Sequence, residues 1–246
     1  MRERRADLFV NLLEPESPCR ILDLGGAGGS FAQKVASRFA PPPQGGVKIT
    51  VADVVDHSAE VRRRGFDFVQ LDAHAESLPF DRHEFDIVLC NSVIEHVTLP
   101  REECLRTDHD EIVWQSRAWD AQSRFASEIR RVARGYFVQT PHRHFPLELH
   151  TWLPGVNWFS HNRTQKLVQL TDRFWIKRCG FADWNLLTPS QMRRLFPDAT
   201  LHVESLAGLP KSIIAFRPAD PVNSHIQGTA GEVESDRAGS VKSRTA

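Results

Sequence analysis

Three aspartates and one run of glycines are the residues of this 246-residue chain best suited to chemistry. Asp23 sits in an apolar run, Ile21-Leu22-Asp23-Leu24, that passes directly into Gly25-Gly26-Ala27-Gly28-Gly29. Phe31, Val35 and Phe39 then recur at near-helical spacing. A strand, a small-residue turn and a helix start in succession form a cradle for an anionic or dipolar ligand. Small side chains let the backbone approach, and the free N–H groups of the first helical turn point at the ligand. Asp53 and Asp72 each follow a further apolar run, 47–52 and 66–71. In an open α/β sheet, acids at the carboxyl ends of strands converge on one cleft. An acid ending the second strand suits the two hydroxyls of a ribose, and one after the third suits an exocyclic amine. Taken singly, each aspartate is more ordinarily a helix cap or a solvated side chain. Their ordered recurrence is what points to a site.

Histidines supply the second set of reactive groups. His96 lies just past a fourth apolar run, 85–90, and titrates near neutrality, so it is the nearest candidate for a general base. A cluster follows a fifth run, with His142, His144 and His150 accompanied by Glu148. Short and alternating spacings of this kind can converge on a metal ion. With no second set of ligands in the sequence, contact with an acceptor substrate is the preferred reading and no metal is expected.

These residues need elements to hold them. Apolar runs alternate with helical patterns: a helix over 4–13, a short one over 59–64, a longer one traced by Trp119, Phe125, Ile129 and Val132, and one over 189–196 with Thr188 as N-cap. Strands are expected near 21–24, 47–52, 66–71, 85–90 and 136–140, then as a hairpin at 201–206 and 212–216 around Gly208-Leu209-Pro210. The pattern predicts a Rossmann-like three-layer α/β sandwich. Its seven-stranded sheet is mostly parallel and ends in an antiparallel hairpin strand. One domain is expected over 1–218, with an aromatic-rich inserted cap at about 141–187. The aromatic-free segment 219–246 is expected to be a disordered tail.

Composition narrows the function classes. Lysine plus arginine and aspartate plus glutamate each number 31, so the net charge is zero and a dedicated nucleic-acid partner is disfavoured. The four cysteines, Cys19, Cys90, Cys104 and Cys179, are widely spaced and form neither a zinc motif nor a disulfide framework. That fits a reducing, cytoplasmic setting. No run approaches membrane-spanning length.

The stretch 21–29, the acid Asp53, Asp72-Ala73-His74-Ala75-Glu76-Ser77-Leu78-Pro79-Phe80, the run 84–96 ending in Glu95-His96, and Glu128-Ile129-Arg130-Arg131-Val132 together resemble a class I S-adenosylmethionine-dependent methyltransferase of the small-molecule branch. The resemblance covers most of residues 18–140. It implies that Asp23, Gly25, Gly26, Ala27 and Gly29 shape the loop under the methionine part of S-adenosyl-L-methionine. Asp53 would take the ribose hydroxyls, Asp72 the adenine amine with Ala73 beside the ring, and Asn91 and Ser92 the floor near the sulfonium. Ala27 departs from the family pattern, which has glycine there; its methyl group is tolerable if the backbone torsion stays negative.

The expected activity is methyl transfer to a small-molecule acceptor, at oxygen. A nicotinamide-dependent oxidoreductase fits less well, because Ala27 or Phe31 occupies a required glycine of G-x-G-x-x-G in either register. Two further rivals are a non-catalytic S-adenosylmethionine-binding partner protein and an RNA methyltransferase. Against the amino-methylating nucleic-acid enzymes, Asn91 is followed by Ser-Val-Ile rather than a Pro-Pro-aromatic motif.

Overall fold

The computed structural model describes residues 2–40 and 46–219. Seven strands form one sheet: β1 (Cys19–Leu24), β2 (Val47–Asp53), β3 (Asp67–Gln70), β4 (Phe85–Asn91), β5 (Ala133–Pro141), β6 (Thr200–Leu206) and β7 (Leu209–Arg217). Their order is β3-β2-β1-β4-β5-β7-β6, parallel throughout except for β7, which runs against both β5 and β6. The chain reverses direction across the sheet between β1 and β4. That switch point opens a crevice at the carboxyl ends of the strands.

Alternation along each strand divides the apolar side chains between two cores. Ile21, Ile49, Val51, Ile87, Leu89, Phe137 and Ile214 pack under helices α1 (Arg2–Leu13), α2 (Ser30–Ala36) and α3 (Ser58–Arg63). Their neighbours Leu22, Leu24, Ala52, Val88, Cys90, Val138, Ile213 and Ala215 pack on the opposite face, under α5 (Glu111–Val132) and α7 (Pro189–Leu195). A short α4 (Arg101–Cys104) precedes α5. This is the expected three-layer sandwich, and burial on both faces explains the consecutive apolar residues Ile87–Cys90 of β4 and Tyr136–Val138 of β5.

Caps fix where the helices begin. The Asp110 carboxylate accepts the Ile112 and Val113 N–H groups, so α5 starts well ahead of the apolar face that betrays it in the sequence. Thr188 and Gln191 form a capping box at α7. All four cysteines are free thiols, and Cys90 is a buried packing residue as expected. Between β5 and α7 the chain is largely irregular around α6 (His161–Thr171), with its own apolar cluster of Leu153, Val156, Val168, Ala182, Trp184 and Leu186. It is tied to the sheet layer where Asn185 N–H donates to the Glu95 carbonyl and the Gln122 amide donates to the Asn185 carbonyl. The tail expected from 219 onward lies, apart from Ala219, outside the described residues. No helix among the described residues is long and apolar enough to cross a membrane.

Candidate active site

The glycine turn follows β1 and is shaped by the protein's own packing. A Cβ at Gly25 would lie 2.4 Å from Val93, and Gly25 also has φ +73°; a Cβ at Gly26 would lie 2.4 Å from Asp23 Oδ2. Ala27 has φ +47°. This is not the negative torsion at which an alanine methyl group is tolerated without strain. Alanine in the left-handed region costs roughly 1–2 kcal/mol, so neighbouring bonds must hold the turn. The Ala27 N–H donates to Asp53 Oδ2 (2.9 Å), and the Val55 N–H donates to Asp53 Oδ1 (3.0 Å). Asp53 is therefore a clasp between the ends of β1 and β2.

Asp23 is buried, and its Oδ2 lacks a hydrogen-bond partner among the described residues. Burial pushes its pKa up to about 7; the Ala32 backbone N–H partly opposes this, and the Asp53 charge adds to it. Because the folded pKa lies above the unfolded value near 4, this group favours folding most at low pH. The contribution is lost as pH rises towards 7. Relative to Asp23→Asn, the wild type should lose about 2.5 kcal/mol between pH 5 and pH 8, read from urea unfolding at each pH. A difference that stays flat over that range would rule out burial of the charge as the controlling effect.

Two expected cofactor residues stand farther out. Strand β3 ends at Gln70, so Asp72 and Ala73 fall in an exposed loop rather than at the strand's end. Asp72 Oδ1 accepts the His74 N–H (2.8 Å).

Asn91 and Ser92, beyond β4, have their side chains engaged by a polar network that the sequence did not disclose. Arg5 of α1 is buried at the carboxyl edge of the parallel strands. Its Nη1 donates to Asn91 Oδ1 (2.8 Å) and Gln139 Oε1 (2.9 Å), and its Nη2 to Glu204 Oε2 (2.5 Å). Ser212 Oγ also donates to Glu204. Ser92 has φ +57° and is held there by its N–H to the Gln139 carbonyl (2.9 Å) and its hydroxyl to Gln139 Oε1 (2.8 Å). Despite burial, the Arg5 hydrogen bond and charge keep the Glu204 carboxyl below its ordinary range.

His96 closes a single 3-10 turn, Ile94–His96. Its Nδ1 meets Asp183 Oδ1 at 2.8 Å, and its ring lies edge-on to His150, centroids 4.7 Å apart. Burial alone would lower the His96 pKa. The Asp183 hydrogen bond and the charges of Glu95, Asp183 and Glu148 outweigh it and hold the ring above its ordinary value. His150 stacks on Trp184 (4.7 Å), and its Nδ1 contacts Glu148 Oε1 at 2.5 Å. Of the three histidines expected on the acceptor side, only His150 joins His96. His142 is buried and its Nδ1 accepts the His144 backbone N–H (3.0 Å), while the His144 side chain is exposed.

Residues 22–108 match the family described as methyltransferase domain. Among solved structures, a SAM-dependent methyltransferase from Methanosarcina mazei is 15% identical over 86% of this chain and 98% of that one, with a TM-score of 0.54. The CurJ carbon methyltransferase is 12% identical over 89% of this chain and 54% of that one, with a TM-score of 0.52; this chain spans about half the length of that protein. At such identities the likeness concerns the fold. No curated protein sequence matches the chain.

The matched segment, residues 22–108, runs from within β1 through β4 and holds the glycine turn and His96, and the whole sheet has the Rossmann-like α/β order.

Proposed function

We propose that the protein methylates an oxygen of a small, partly apolar acceptor that enters beside His96. The observation carrying this reading is the His96–Asp183 pair just past the carboxyl end of β4, with His150 and Trp184 packed beside it. Trp184 also lines a surface depression with Trp114, Phe159, His161 and Arg143, where aromatic and polar side chains mix. Such a lining suits an acceptor with an apolar body and a hydroxyl.

The cofactor cradle is assigned to the turn 25–29 with Asp23 and Asp53, and to Asp72, Ala73, Asn91 and Ser92 around it. The unpartnered Asp23 oxygen against Gly26 is the kind of buried acceptor that a donor group of the ligand would satisfy. S-adenosylmethionine brings a methyl group on a sulfonium, already activated for transfer, so the protein's work is alignment and exclusion of water. On the acceptor side, His96 takes the hydroxyl proton while Asp183 fixes its tautomer and stabilises the protonated ring.

Asp53→Ala should weaken S-adenosylmethionine binding by about 1–3 kcal/mol, through the lost acceptor and the loosened Ala27 turn. Calorimetry giving an unchanged dissociation constant would remove Asp53 from the cradle. The acceptor is tested by incubating the protein with methyl-labelled S-adenosylmethionine and fractionated cell extract, then locating the label in the product. A labelled ether or ester supports the oxygen reading, and label on carbon or nitrogen overturns it.

A further inference from the structure

Glu95 is the side chain most at odds with its surroundings. It is fully buried, and among the described residues no hydrogen bond of good geometry reaches either carboxylate oxygen, although the buried Thr140 hydroxyl lies close enough to favour the charge. An isolated buried carboxylate is costly, and its pKa is driven up by that burial.

What lies beside it are the rings of His96 and His150. One ligand-capable atom from each of Glu95, His96 and His150 lies within 4.8 Å of the other two. Both rings have Nδ1 against a carboxylate, Asp183 for His96 and Glu148 for His150. That arrangement fixes the tautomer, raises the basicity of the ring and leaves Nε2 for a ligand, as outer carboxylates do around metal-bound histidines. Glu148 is itself held rigidly, accepting the His150 N–H (2.9 Å), the Thr151 N–H (2.6 Å) and the Thr151 hydroxyl (2.8 Å).

We propose that Glu95, His96 and His150 form a binding site for one divalent transition-metal ion, with Zn²⁺ the best match. Two imidazoles and one carboxylate are a common three-ligand set for zinc with an open fourth position. Bonds of about 2.1 Å hold tetrahedral donors about 3.4 Å apart, so the three side chains need close only by an ångström or so. The side chains of His96 and His150 remain 33% and 19% exposed, which leaves the fourth position open to water or an anionic oxygen. This site does not depend on the acceptor chosen above. With an ion bound, the free nitrogen of His96 becomes a ligand, so its action as a base belongs to the metal-free protein.

The test is titration of the full chain, stripped with a chelator, with Zn²⁺ by calorimetry and with Co²⁺ by visible absorption. The expected result is one ion per chain. Glu95→Gln and His150→Asn should each bind at least tenfold more weakly, Asp183→Asn about 10–100-fold more weakly, and the exposed His83→Ala like the wild type. No saturable binding by the wild type, or equal binding by Glu95→Gln and His150→Asn, overturns the site. Should Glu95→Gln fail to fold, the Co²⁺ spectrum decides. An intense band of four-coordinate cobalt in the wild type that is missing from His150→Asn upholds the site, and identical spectra overturn it.

Discussion

His96→Ala is expected to lower the turnover number by about 10²–10⁴-fold, the range for loss of a positioned general base. The dissociation constant for S-adenosylmethionine should stay nearly unchanged, because Asp53 and its bond to the Ala27 N–H sit at the ends of β2 and β1, whereas the His96 side chain follows β4 and bonds Asp183. The pH profile supplies the more discriminating reading. In chelator-treated protein the rate should rise as His96 loses its proton, with an apparent pKa above the ordinary histidine value of about 6.5. The Asp183 hydrogen bond and the nearby Glu95 and Glu148 charges outweigh burial in setting that direction. Asp183→Asn should move the rising limb to lower pH, and His96→Ala should abolish it. Full activity in His96→Ala, or a limb that survives it unshifted, would place the proton transfer elsewhere.

Arg5→Ala should destabilise the fold by about 3–5 kcal/mol, as expected when one partner of a buried ion pair is removed. The guanidinium ties α1 to the ends of β4, β5 and β6, and its loss would strand the Glu204 carboxylate beside Ser212. Arg5→Ala combined with Glu204→Ala should recover part of the loss, because the stranded charge is then absent as well. Urea unfolding of the wild type, both single variants and the double variant gives the coupling energy directly. If Arg5→Ala costs under 1 kcal/mol, the pair behaves as a solvated surface bridge and the network is not what holds Asn91 and Ser92.

The elements were largely legible because each is written by a local rule. The apolar run at 85–90 marks a strand buried on both faces, the glycine turn marks the passage from β1 to α2, and Thr188-Pro189 marks the start of α7. The length of α5 was not legible from its apolar face, since its first turns carry the exposed Ile112 and Val113 and depend on Asp110 for their start. Within the candidate site, Glu95 and His96 were visible as part of a motif. Nothing local reported that Glu95 is fully buried, or that Asp183 stands opposite the ring 87 positions later. Arg5 reads as one charge among several on a terminal helix; only the packing of α1 across the sheet makes it a buried anchor.

From the order of residues alone came the α/β architecture and the placing of Asp23 and Asp53 beside the glycine turn, because periodicity, turn chemistry and strand-end acids are properties of neighbours in the chain. Tertiary structure alone decided which side chains meet. It set the positive torsion of Ala27 and its bond to Asp53, the Arg5 network, and the approach of His150, but not His142 or His144, to His96. Such contacts depend on how distant segments fill space against one another, and no local pattern encodes that distance.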